Sequence, residues 1–498
     1  MTQRILLVNP QMTARRHARF PLSLLTLAGA LGKQKDCAVV DGNVDPTYLA
    51  KIASVVAEGH YDAVGVTVMG GPQVQSAIDT SKVIKRVAPA TPVVWGGYFP
   101  TLYTNAALNA DYVDYAIRGG GEIAFAELLE ALPGRELGQI AGLSWKRDGA
   151  VIHNEPRRVR DERPSTPLPY DLLGDPRQYL ARTFLGNRTA AHQAALGCRF
   201  RCTFCGVAAM FSGGTYLPPA ERLERDLTWL KELGADSLQF FDHNFFDREQ
   251  DMIPLLEVLA RIQLPWWCYA RADALLGLSE ETWKLVRKSR LKMAYIGAES
   301  PNDAMLASIR KGTSSDQTLA VAELCRRNGV VPELSFMVGP PDDTDAETER
   351  TFEFIRQVKK VNPAAEIIIY IYTPLPPESL PKNARVRAGA RQLLDVHGNP
   401  LEFPTTPEEW TQKSWVDYAC HMDAPWLTDR VRQRIQNFRT VLGCRFPTAQ
   451  DVRNPAWTKA TLKALASWRY RFRRYDRPWE LALSKRLVRL ANPQATSL

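Results

Sequence analysis

Three cysteines fall within eight residues, in the run Cys198-Arg-Phe-Arg-Cys202-Thr-Phe-Cys205. Thiolates separated by three and then two residues can face one point, and such soft ligands select zinc or iron–sulfur. A [4Fe–4S] cube takes four protein ligands when it is closed. Only three are local here, so a cube held by this loop keeps one iron open to a small molecule. The same logic separates open catalytic metal sites from closed structural ones. The alternative is a Cys3His zinc site completed by His192 or His243. The other five cysteines (Cys37, Cys268, Cys325, Cys420, Cys444) are scattered singly. Eight in 498 residues is no disulfide scaffold, and a reducing compartment fits their use.

The elements around this loop are legible from hydrophobic patterning. Strand-like runs at 192–196, 237–241, 266–270, 293–296, 333–338 and 366–372 alternate with helix-like stretches at 218–233, 250–262, 279–289, 315–328 and 345–358. Six strands with five intervening helices predict a partial (β/α)6 TIM-type barrel over residues 186–375, with the cysteine loop on its carboxyl face. Residues 1–135 alternate too, with strands at 5–8, 37–40, 63–67, 93–95 and 112–117 and helices at 22–31, 74–87 and 124–132. Continuous apolar strands between helices indicate an α/β doubly wound, flavodoxin- or Rossmann-like parallel sheet. Its strand ends carry Asn9-Pro10, Asp41-Gly42, Gly70-Gly71, Gly96-Gly97 and Gly119-Gly120-Gly121, where ligands of such sheets sit. A dinucleotide is disfavoured, because no Gly-x-Gly-x-x-Gly follows the first strand. Residues 136–185 read as a connector, with a hairpin signal at Asp148-Gly149 and then five prolines. Residues 376–498 read as a mostly helical, basic C-terminal domain.

The Cys-x3-Cys-x-aromatic-Cys run, with Phe204 at the aromatic place and opening a six-unit barrel, resembles the radical S-adenosylmethionine (SAM) superfamily. The resemblance implies that Cys198, Cys202 and Cys205 hold a [4Fe–4S] cluster whose open iron chelates SAM, and that reduction cleaves SAM to a 5′-deoxyadenosyl radical. It extends to later strand ends. Asp242 and Asn244, in Phe240-Phe-Asp-His-Asn-Phe-Phe246, resemble the second-strand motif, with His243 in place of a second acid. Arg271, in Tyr269-Ala-Arg-Ala-Asp273, resembles the arginine that reaches the SAM carboxylate. Glu299, followed by Lys311-Gly312, resembles the fourth-strand motif near the ribose. Gly339, in Met337-Val-Gly-Pro-Pro-Asp-Asp-Thr344, resembles the turn beside adenine. Taken singly, Asp242, Arg271 and Glu299 would also suit a plain ion network at the barrel mouth.

The first domain resembles that of the cobalamin-binding subclass. Gly96, Gly97 and Tyr98, with Gly119, Gly120 and Glu122, match its loops after the fourth and fifth strands. Glycines there let the backbone approach a flat macrocycle or its phosphate tail. The Asp-x-His-x-x-Gly motif of cobalamin domains is missing, so no histidine of that motif ligates cobalt. The resemblance implies a methyltransferase acting on an unactivated carbon of a small-molecule or lipid-like substrate. It also implies an external one-electron donor of flavodoxin or ferredoxin type. A non-methylating oxidative cyclisation or ring rearrangement is the second expectation, and a non-catalytic zinc- or cluster-binding protein the third.

The formal charge is +9, and ten Lys or Arg between Trp457 and Leu490 face only two acids there. Leu462, Leu465, Trp468, Phe472 and Tyr475 share a helical seam, expected to pack on the barrel while Arg469, Arg471, Arg473 and Arg474 stay solvated. A surface for anionic lipid, or a pocket for a carboxylated or phosphorylated substrate, is the functional alternative. Nucleic acid is not expected, since no motif for it accompanies the charge. With no apolar run of spanning length and no signal-peptide pattern, the expected location is cytoplasmic, with peripheral contact at the inner membrane face as a further option.

Overall fold

The structure, a computed structural model, describes residues 2–32, 35–132, 136–157, 167–341, 344–376, 393–451 and 454–488. The first sheet holds β1 (Arg4–Asn9), β2 (Asp36–Asp41), β3 (Ala63–Thr67), β4 (Val93–Gly96), β5 (Tyr115–Ile117), β6 (Leu143–Arg147) and β7 (Ala150–His153). Its order is β2-β1-β3-β4-β5-β6-β7. The first five strands are parallel, and their 2-1-3-4-5 order is the flavodoxin-like winding, with ligand space above the carboxyl ends. Along β1, Leu6 and Val8 join one core and Ile5 and Leu7 the other, which is why the strand reads as an unbroken apolar run.

Two expectations change here. The 143–153 hairpin pairs antiparallel with β5, so this sheet continues past residue 135 into what reads as connector. Helix Tyr48–Glu58, missed in the sequence, returns β2 to β3 and buries Tyr48, Ile52 and Val56, a spacing of four that was there to be seen.

The second sheet holds β8 (Thr189–His192), β11 (Ser237–Phe240), β12 (Trp266–Ala270), β13 (Leu291–Glu299), β14 (Val331–Val338) and β15 (Glu366–Ile371). Its order, β15-β14-β13-β12-β11-β8, is parallel throughout, and β8 does not close onto β15, as expected of a partial barrel. The first strand sits three residues earlier than predicted. The chain then makes a separate two-residue strand, β9 (Leu196–Gly197), paired with β10 (Thr215–Tyr216).

Aromatic contacts join the domains. Phe20 of the first stacks on Tyr179 at 5.1 Å, and Tyr170 stacks on Trp229 of the barrel at 4.0 Å. The C-terminal helices Asp429–Arg445, Ala456–Arg471 and Trp479–Val488 follow, and Phe438 stacks on Phe352 at 3.8 Å. Helix Ala456–Arg471 departs from its predicted packing. Leu462 and Tyr475 of the expected seam are buried, but Leu465, Trp468 and Phe472 are exposed. Arg469, expected in solvent, is buried in an ion pair with Glu480.

Candidate active site at the barrel mouth

The cysteine loop is stapled at its base. β9 and β10 bond across it, and Gly197 has φ +80° with the Gly214 carbonyl 2.2 Å from where a Cβ would stand, so no larger residue fits. Higher up, the Thr203 amide donates to the Ile309 carbonyl at 3.0 Å, and Arg199 pairs with Asp247 at 3.0 Å. Phe204 packs with Leu306, Ile309 and Met337, and so ties the loop to the ends of β13 and β14.

Arg271, just past β12, is buried against this loop. Its guanidinium lies 3.5 Å from the Phe200 ring centroid, and Nη1 is 3.9 Å from Cys202 Sγ. Asp273 holds it through both carboxylate oxygens at 2.9 and 3.0 Å, and the Lys311 carbonyl accepts from Nη2. Glu299, at the end of β13 with φ +63°, pairs with Lys311 at 2.7 Å, both buried. Gly297 is closely covered there, since a Cβ would come within 2.2 Å of Glu299 Oε1 and 2.5 Å of Lys311 Nζ and displace that pair. Thus Phe204, Arg271 and Glu299, far apart in sequence, meet around the cysteine loop. Gly339 lies farther round the mouth. Leu427 is packed against it, and its carbonyl accepts from Trp426 Nε1 at 2.9 Å, so the C-terminal region backs the end of β14. The neighbouring Asp342 and Asp343 of the fifth-strand motif lie outside the described residues.

Asp242 and Asn244 part company. The Asp242 carboxylate accepts from the Ala194 and Ala195 amides at 3.0 and 2.5 Å, so it braces the segment that leads from β8 to the cysteines, and burial raises its pKa to about 7. Asn244 donates to Asp247 at 3.1 Å, but its Oδ1 is buried without a hydrogen-bond partner, an acceptor suited to a ligand donor.

The donor set suits an iron cluster. Burial raises the Cys198 thiol, and burial with Cys202 nearby pushes Cys205 to about 12. These thiols therefore keep their protons until a metal charge displaces them. The zinc alternative loses His243 as its fourth ligand. His243 accepts the Gly197 amide on Nδ1 at 3.2 Å and has Tyr98 Oη at 3.0 Å from Nε2, so both ring nitrogens are engaged. His192 is buried 3.8 Å from Asp226, on the helix Ala220–Glu232. Among the described residues no three His, Cys, Asp or Glu side chains gather closely enough to hold a single ion.

Beside the loop lies a cavity of about 220 Å3, partly open to solvent, at the carboxyl ends of β3, β4 and β5. Gly96, Gly97, Tyr98, Gly119, Gly120 and Glu122, all expected from the sequence, line it. A Cβ on Gly96 would meet nothing within 4 Å, so the missing side chain there is open space. A glycine-walled cleft, partly open to solvent at this position of a doubly wound sheet, suits a large flat group such as a corrin. The sequence did not indicate the lining from Leu24 and Leu27 or from Met210, Phe211 and His243. The last three come from the barrel side. Helix Gly206–Phe211 starts directly after Cys205 and forms a wall common to loop and cavity. Tyr98 presses on Gly206, and Gly119 faces the Met210 carbonyl.

Comparison with known proteins agrees with this arrangement. The profile of the radical SAM superfamily matches residues 194–355, and that of the B12 binding domain matches residues 15–129. An uncharacterized methyltransferase of Pyrococcus horikoshii is 28% identical over 344 residues, covering 68% of this chain and 73% of that protein. An anaerobic magnesium-protoporphyrin IX monomethyl ester cyclase of Synechocystis is 22% identical over 370 residues, covering 72% of each. Among solved structures, the radical SAM methyltransferase TsrM from Kitasatospora setae, with cobalamin and a [4Fe–4S] cluster bound, aligns with TM-score 0.63 at 19% identity, over 82% of this chain and 81% of that one. The cobalamin-dependent SAM radical enzyme OxsB aligns with TM-score 0.66 at 16% identity, over 98% of this chain and 75% of that one. At these identities the two structures establish the fold.

Proposed function

We propose that this chain, whose residues 194–355 match the radical SAM superfamily and residues 15–129 the B12 binding domain, is a cobalamin-dependent methyltransferase acting on an unactivated carbon of a small molecule. The observation that carries this reading is the wall common to the thiol loop and the glycine-lined cavity, which brings the two cofactor sites to one barrel mouth. Cys198, Cys202 and Cys205 would hold the [4Fe–4S] cluster, and the cavity a corrin. Together with SAM these groups supply a reductive cleavage that makes a carbon radical and a separate methyl donor.

The chain's own residues orient and seal. Arg271, fixed by Asp273 and the Lys311 carbonyl, presents a cation beside Cys202, suited to a carboxylate. Glu299, held by Lys311, offers an acceptor for ribose hydroxyls, and Asn244 Oδ1 offers another. Gly339, with φ +69°, makes the turn after Met337 that would sit beside a flat base. Asp242 keeps the incoming segment in place. The electron comes from an external donor of flavodoxin or ferredoxin type.

The test is anaerobic reconstitution with iron, sulfide and a corrinoid, then incubation with SAM and reductant. Iron and corrinoid absorbance, with S-adenosylhomocysteine and 5′-deoxyadenosine both formed, is the expected result. Zinc without iron would overturn it. The likeness to the magnesium-protoporphyrin ester cyclase favours one second reading, a non-methylating cyclisation or ring rearrangement. In that case 5′-deoxyadenosine forms without matching S-adenosylhomocysteine.

A further inference from the structure

Eleven large apolar side chains are exposed among the described residues, and six of them stand on two adjacent C-terminal helices. Trp457, Leu465 and Trp468 lie on helix Ala456–Arg471, with Phe472 at its C-cap, and Trp479 and Leu483 lie on helix Trp479–Val488. Trp457 and Trp479 are each 72% exposed and Phe472 is 64% exposed. At 3.6 residues per turn, Trp457, Leu465, Trp468 and Phe472 occupy one stripe of the helix. Thr458, Leu462 and Ala466 face inward on a different stripe. The inner face therefore does the packing, and the outer aromatic face is additional to it.

Cations predominate around this face. Lys463, Arg471, Arg474 and Arg477 are exposed beside it. The only two acids of the stretch are taken, Asp476 by Arg434 and Glu480 by Arg469, while Arg473 turns to Glu353. Indole rings settle at the headgroup level of a bilayer, where an apolar body and a polar N–H are both satisfied. Basic side chains around them favour anionic lipid. No described helix is long and apolar enough to cross a membrane, so any such contact lies along the surface.

We propose that the aromatic, arginine-flanked face of these two helices docks on an anionic bilayer surface. The proposal goes beyond the reaction assigned above, and its test requires no turnover. Full-length protein is sedimented with sucrose-loaded vesicles of phosphatidylcholine alone, or of phosphatidylcholine with phosphatidylglycerol. Co-sedimentation with the anionic vesicles and a blue shift of tryptophan emission are expected, with little binding to phosphatidylcholine. A Trp468→Ser/Phe472→Ser variant, altered only at exposed positions, should bind about tenfold less. An Arg471→Glu/Arg474→Glu variant should lose about tenfold or more. Both should keep the parent's thermal midpoint and SAM cleavage.

Equal binding to both vesicle types, or variants that sediment like the parent, overturns the proposal. So does a dimer in solution that these substitutions dissolve without any vesicle binding, since the face then meets a second copy. Salt-sensitive capture of duplex DNA in place of vesicles overturns it as well.

Discussion

Around Cys202 the charged groups are wired to one another, whereas the cavity beside it is shaped by side chains left out. Arg271 has Asp273, Glu299 has Lys311 and Arg199 has Asp247, each within hydrogen-bond reach. Across the helix Gly206–Phe211, Gly96, Gly97, Gly119 and Gly120 leave a chamber walled in part by bare backbone. The difference follows from what each side must hold. A metal cluster and a charged sulfonium compound need thiolates and fixed counter-charges in a water-poor setting. A broad macrocycle needs room and close backbone approach.

Substitutions can break that contrast. The largest effect is expected from replacing Cys198, Cys202 or Cys205 with Ala. Iron content and 5′-deoxyadenosine formation should fall by more than about a hundredfold, beyond what loss of a supporting partner costs at a metal site. Corrinoid uptake should survive, and its loss in step with iron would erase the distinction between the two sides. Next, Lys311→Met leaves Glu299 buried without its cation. Stability should drop by about 3–5 kcal/mol in denaturant melts, and a Glu299→Gln partner substitution should recover most of it.

On the glycine side, Gly96→Leu puts a side chain into open space without backbone strain. Retained corrinoid should fall about tenfold or more while iron and the thermal midpoint stay near the parent's. A variant that loses iron as well would mean that the chamber is structural. The smallest effect concerns Glu333, buried on β14, which accepts from Trp267 Nε1 and Gln450 Nε2. Burial pushes its pKa up to about 8. The folded state therefore holds a proton that the unfolded chain releases, and stability declines as pH rises from about 5 to about 8. Glu333→Gln should flatten that decline in thermal midpoints measured across the range.

Much of this site is legible without a structure, because its information is local. The spacing of Cys198, Cys202 and Cys205 and the glycine doublets after strands depend on near neighbours. The family resemblance singled out Arg271 and Glu299, and strand alternation put their motifs at barrel strand ends, beside the cysteine loop. What failed to show depends on partners distant in sequence. Nothing near His243 says that Tyr98, 145 residues away, will engage it. The zinc reading with His243 as ligand falls for that reason. The staple between β9 and β10 was hidden because two-residue strands leave no periodicity. The seam on helix Ala456–Arg471 misled differently. Its apolar period is real, but it spans two stripes of the helix, and only tertiary packing decides which one faces in.

Helix Gly206–Phe211 runs for six residues, about 9 Å at 1.5 Å per residue. Its first residue is pinned by Tyr98 and its fifth by Gly119, while Cys205 anchors the position just before it. One added residue would turn Phe211 by about 100° and carry the Met210 carbonyl away from its contact. Along the described chain, this short strut is where insertions and deletions should be least tolerated. A library of single-codon length changes would find an untouchable island there, bordered by far more forgiving surface loops.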